Sequence, residues 1–151
     1  MGGMKKFQFS LSTVLGYKQQ VQEGLQNEHA QLVHRVRQAE QRLEELEEAY
    51  RSCNRELREA EAKGTTVSEV LKYQSALRYW EQQIHDARAH LVQCRQAAEA
   101  KRAELVAARQ ETASLEKVRE RKHEEYRYQI QKSEELFIEE LVASQWRVPA
   151  P

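Results

Sequence analysis

Proline is nearly missing from this chain. Of 151 residues only Pro149 and Pro151 are proline, so residues 1–148 contain no obligate helix breaker. Glycine is scarce as well, at five positions, and aromatics make up only 7% of the residues. That is too little aromatic mass and too few turn-formers for an ordinary compact domain. Net charge is also absent: 24 basic and 24 acidic residues are interspersed and cancel. Nucleic-acid binding draws its affinity from phosphate neutralisation and leaves a basic footprint, which is not seen here. No apolar run approaches the ~20 residues needed to cross a bilayer, so direct membrane insertion is not expected. The opening MGGMKKFQFSL has a basic pair but no sustained apolar stretch, unlike a signal peptide. Lys6 stands where the myristoylation pattern requires Ser or Thr. Met4 reads as the natural start, with residues 1–3 as an appended remnant, and the chain reads as bacterial cytosolic material whose partners are proteins.

What is present is Ala, Glu, Gln, Arg and Leu, with 32% charged residues, the profile of long helices and coiled coils. The strongest punctuation is AKGTTVSE at residues 62–69. Gly64 is suited to the left-handed conformation that closes a helix. Thr66 followed three residues later by Glu69 fits a capping box that opens the next one. The pattern therefore predicts helix 1 over about 11–63, a turn at 64–66 and helix 2 over about 67–145, with 147–151 a disordered tail. The whole of 4–146 forms one unit in this reading.

Apolar residues fall at alternating spacings of three and four along both segments. Helix 1 carries Leu11, Leu15, Lys18, Gln22, Leu25, His29, Leu32, Val36, Ala39, Leu43, Leu46, Tyr50, Cys53, Leu57 and Ala60 in this ladder. Helix 2 carries Val70, Tyr73, Leu77, Trp80, Ile84, Ala87, Leu91, Cys94, Ala98, Lys101, Leu105, Ala108, Thr112 and Leu115. The ladders mirror each other about the turn, so that Leu46 is paired with Ile84, Tyr50 with Trp80, Val36 with Cys94 and Leu15 with Leu115. An antiparallel seam needs this mirroring, because each layer must meet its partner at equal distance from the turn. Polar interruptions mirror too: His29 falls opposite Lys101, and Lys18 opposite Thr112. The fold class is thus all-α, a long antiparallel two-helix coiled-coil hairpin. Polar layers together with Gly16 and Gly24 make the end away from the turn the softer one.

Helix 1 runs out near Leu11, opposite Arg119, whereas helix 2 continues for about 25 residues, on the order of 40 Å of helix. The pattern therefore predicts a C-terminal single-helix overhang carrying Tyr126, Tyr128, Ile130, Leu136, Phe137, Ile138, Leu141, Val142 and Trp146, with some of them covered by Phe7 and Phe9. Such an amphipathic helix awaits a groove on another protein. Chemistry is not indicated. A two-helix hairpin lacks the concavity that catalysis needs, so no enzyme activity, catalytic residue or cofactor is expected. The histidines include pairs five apart, which face different sides of a helix, where metal ligands would stand three or four apart. Cys53 and Cys94 lie in different seam layers about 25 Å apart along the axis, too far for a disulfide.

Four stretches resemble a known family. KFQFSLSTVLGYK at the start, GTTVSEVLKYQSALRYWEQQI at the turn, LVQCRQAAEAKRAELVAARQE beyond it and SLEKVRERKHEEY further on occur in the order and spacing of the FliJ family. Those proteins are the flagellar type III export stalks, and the resemblance covers residues 4–145. Val118 stands where the family's Leu-Glu-Lys-Leu signature has its second Leu. The resemblance implies a protein at the cytoplasmic face of the inner membrane that inserts a coiled coil into the hexameric flagellar export ATPase. It also implies contact with the cytoplasmic domain of the export gate protein and with empty export chaperones. For the ATPase-ring interface the candidate residues are Arg119, Lys122, Tyr126, Ile130, Leu136, Phe137 and Leu141. For the gate interface they are Tyr73, Tyr79 and Trp80, near the turn. The alternatives are the homologous stalk of a virulence-type injectisome, of the YscO type, or a structural coiled-coil spacer or homo-oligomer.

Overall fold

The computed structural model describes residues 6–146, and the expectations for residues 1–3 and 147–151 lie outside them. Two helices account for nearly all of it: α1, Ser12–Lys63, and α2, Val67–Trp146. They are packed against each other as a two-helix hairpin, and no strand occurs among the described residues. The chain divides into two compact units, one of residues 23–106 and one in which the N-terminal residues to 22 meet the chain from 107 onward.

The turn belongs to the unit of residues 23–106. Gly64 takes φ +86°, the left-handed conformation that residues with a Cβ avoid, and its amide donates to the Glu61 carbonyl at 3.3 Å. The Thr66 hydroxyl accepts the Glu69 amide at 3.3 Å, which caps α2. Glu69 does not complete a reciprocal box on the Thr66 backbone. Its carboxylate accepts the Thr65 hydroxyl at 2.7 Å instead.

Within the same unit the seam is read from its polar edges. Arg95 donates to Glu40 and Arg88 to Glu47, each at 3.4 Å. Seven residues forward along α1 therefore match seven back along α2, the signature of antiparallel heptads without a slip. This register places Leu46 opposite Ile84 and Ala39 opposite Leu91, and all four are buried, Leu46 to 2% exposure. Cys53, Leu57 and Leu105 complete the buried apolar set of this unit. Each of these residues lies on the ladder that the spacing predicts. Lys101, a cation at a seam position, is half-buried; its ammonium swings out to Glu28 on α1 and Glu104 on its own helix, both at 2.9 Å. Its stem fills the layer while its charge stays wet.

In the other unit, Leu15, Thr112 and Phe9 are buried. The Thr112 hydroxyl donates to the Ala108 carbonyl at 3.0 Å, so a polar group enters the seam already satisfied. Lys18 behaves as Lys101 does, reaching Glu111 across the helices at 2.8 Å. Gln19 donates to Glu116 at 3.4 Å. One seam assignment changes here: Leu11 is exposed, and Phe9 is buried instead. The cause is local. α1 starts at Ser12, whose amide bonds to the Phe9 carbonyl at 3.0 Å, so Leu11 lies in a turn and points away from the helical ladder.

Candidate interaction surfaces

α2 is amphipathic in its first part and exposed on all sides in its last. From residue 131 to Trp146 every residue is exposed. Leu136, Phe137, Ile138, Leu141, Val142 and Trp146 are among them, with Phe137 at 46% and Leu141 at 48%. Charged residues interleave with them, and Lys132 holds Glu135 at 3.9 Å along the helix. A helix with this much apolar surface and no covering element among the described residues gains little from folding alone; its sequence is one suited to burial against something else.

Of the seven residues assigned from sequence to this end, Arg119, Lys122, Leu136, Phe137 and Leu141 are exposed. Lys122 makes a loose ion pair with Glu125 at 3.8 Å. Tyr126 and Ile130 are half-buried. Tyr126 is partly covered by Phe7, which precedes α1: its ring meets His123 edge-on at 4.9 Å between centroids and lies 5.6 Å from Tyr126 at a tilt. Phe7 lines a surface groove with Glu116, Arg119, Glu120, His123 and Arg127. The lone part of the helix therefore starts past Ile130, later than the Arg119 level set by counting ladder positions.

A second surface lies near the turn, in the unit of residues 23–106. Tyr79 is 56% exposed and packs edge-on against Trp80, with centroids 5.1 Å apart. Tyr73 and Trp80 are half-buried and line a groove with Ser52, Cys53, Glu56, Glu69 and Lys72. The structure thus brings all three sequence-assigned residues onto one stretch of α2, with Tyr73 and Trp80 on the groove and Tyr79 beside it. Val67 and Leu71, exposed at 77% and 56%, extend the apolar surface toward the turn and are absent from the sequence-derived set. Their signal was a four-residue spacing off the seam register, which a search for seam residues passes over.

The electrostatics are those of a solvated helical surface. Hydrogen bonds donated to Glu104 and Glu28 hold the Lys101 pKa well above the ordinary lysine range, and one to Glu111 raises that of Lys18. Arg51 holds Glu48 below the usual carboxylate range, and burial pushes the Cys53 thiol up. Both cysteines are free. Among the described residues no group of three or more His, Cys, Asp or Glu is placed to hold a metal ion, and no helix is long and apolar enough to cross a membrane.

Neither a curated protein nor a solved structure matches the chain. A family model does, that of the flagellar FliJ protein, over residues 7–150. The match takes in the N-terminal aromatic segment, the hairpin and the helical extension together, and on that breadth the chain belongs to the flagellar FliJ family.

Proposed function

We propose that this member of the flagellar export machinery is the central stalk on which the hexameric export ATPase is organised, with the ring taking the exposed end of α2 as its axle. The observation that carries the reading is the uncovered apolar face of residues 131–146, at the end of a helix whose earlier part is held by its antiparallel partner. A ring of identical subunits presents repeated apolar and charged surface around its centre. Such a lining suits a helix exposed on all sides with Phe137 and Leu141 on one face and Glu134, Glu135, Glu139 and Glu140 among them. The surface near the turn, Tyr73, Tyr79 and Trp80, is the proposed contact for the cytoplasmic domain of the export gate. Val67 and Leu71 enlarge it. Empty export chaperones are further partners in this reading, and the protein works in the cytoplasm, peripheral to the inner membrane.

The test is a chain ended after Gln131, which keeps the hairpin and the Phe7 contacts. It should stay folded, lose helicity roughly in proportion to the residues removed, and lose binding to the purified export ATPase. Replacing Leu136, Phe137 and Leu141 together by Ser should do the same at full length, and cells carrying either form should be poorly motile. Undiminished ATPase binding by the shortened chain would sink the assignment of the ring contact to this helix end.

A further inference from the structure

The apolar residues of α2 change their repeat at the place where Phe7 lies. Up to Leu115 the ladder follows heptads, the spacing that keeps a seam facing one partner through a left-handed supercoil. Beyond it, Tyr126 and Ile130 recur as Phe137 and Leu141, each pair eleven residues apart. Eleven residues are three turns of an unsupercoiled helix, so these four side chains lie along one line on one face. The two halves of that line, Tyr126 with Ile130 and Phe137 with Leu141, differ in residue type and in cover. Tyr126 and Ile130 are half-buried, with the Phe7 ring against Tyr126 and His123, whereas Phe137 and Leu141 are open.

We propose that residues 6–9 are a self-docked strap that occupies the first step of a two-step docking face, and that the strap lifts when a partner takes the whole face. This rests on the ring-binding reading above and adds a regulatory contact to it. The strap is suited to the role in three ways. It is non-helical, so lifting it breaks no helical hydrogen bond except the start of α1, where the Ser12 amide meets the Phe9 carbonyl. The ring contacts of Phe7 with His123 and Tyr126 are individually weak enough to be exchanged for others. Phe9, buried to 8% exposure, anchors the base of the strap while Phe7 at its outer end does the covering. With the strap down, a partner meets only the step of Phe137 and Leu141. With it raised, the face gains the step of Tyr126 and Ile130, three turns earlier at the same spacing.

Two variants move binding in opposite directions, which separates a strap from a partner contact. Phe7→Ala removes the cover and leaves both helices intact, which circular dichroism verifies. If the strap is down about nine-tenths of the time, its removal should tighten binding to the purified export ATPase by up to about ten-fold, the factor by which a minor competent state lowers apparent affinity. For the locked form, Phe7→Cys and His123→Cys are introduced into a chain carrying Cys53→Ala and Cys94→Ala, and a short bis-maleimide bridges the two thiols. Bridging should weaken binding relative to the same chain unbridged. Weaker binding by Phe7→Ala would make Phe7 part of the partner surface and overturn the proposal, and equal binding by bridged and unbridged chains would overturn it as well. If the chain ended after Gln131 also binds at full strength, the ring-binding reading fails with it; if that chain fails to bind while the strap variants show no effect, only the strap is wrong.

Discussion

Leu46 and Lys101 show the two ways a seam position is filled. Leu46 is the most deeply buried side chain of the ladder, and its layer partner Ile84 is buried too. Leu46→Ala should therefore destabilise by about 2–4 kcal/mol, a range set by lost transfer energy plus residual cavity, and urea melts would read it. Trp80, only half-buried, should cost less when truncated despite its size. Lys101 instead carries its charge to Glu28 and Glu104. Those hydrogen bonds raise its folded-state pKa above the ordinary value of 10.5. The stabilisation they supply is complete below that value and is lost as pH rises through the folded pKa. Thermal melts from pH 9 upward should thus show an alkaline decline that is shallower in Lys101→Met. An equal decline in both would place its cause in other groups.

At the scale of the helices, three glycines make opposite demands. Gly16 and Gly24 lie inside α1, and a Cβ at either would meet nothing within 4 Å. Each glycine costs roughly 1 kcal/mol against alanine in a helix, so Gly16→Ala and Gly24→Ala should each raise the melting temperature. Gly64 also has room, yet its φ of +86° penalises any side chain, and Gly64→Ala should lower it. Amide exchange should follow burial along each helix. Protection should be greatest around Ala39–Leu57 and Ile84–Leu91, where buried layers recur, and weakest from residue 131 to Trp146, where a helix without tertiary cover frays from its end. Comparable protection at residues 131–146 would mean that another element covers that stretch.

For the whole molecule the governing fact is that its apolar surplus is confined to short stretches. The open face of Leu136, Phe137, Ile138, Leu141 and Val142 spans barely two turns, and two-helix association over so short a length is marginal. Sedimentation velocity at about 10 µM should show a monomer, which also separates a stalk from a homo-oligomeric coiled coil. A concentration-dependent dimer abolished by ending the chain after Gln131 would give the face to a second copy instead. Cross-helix ion pairs contribute little to this balance. Glu40–Arg95 and Glu47–Arg88 are both largely exposed, and such pairs are worth ~0–1 kcal/mol each.

The hairpin was legible in the sequence because its information is periodic and local. The three-and-four spacing names the buried face wherever the helix is, Gly64 and Thr66 mark the turn, and mirrored ladders state the register; every buried residue except Phe9 sits on those ladders. The exposed apolar residues past the end of the ladder, Leu136, Phe137 and Leu141, were legible in the same way, and their part in export stays a proposal. Tertiary structure alone decided how far helix α2 is covered. Cover by Phe7 and Phe9 was expected from the sequence, but residues 6–9 are not helical, so their spacing does not say that Phe7 lies on His123 and Tyr126, or that Phe9 is buried while Leu11 is exposed. It also decided where the seam cations go, because a lysine stem can lead its ammonium to either helix and the carboxylate within reach makes the choice: Glu111 for Lys18, and Glu28 with Glu104 for Lys101. Periodicity reports which face of a helix seeks cover; only three-dimensional proximity determines which distant group supplies it.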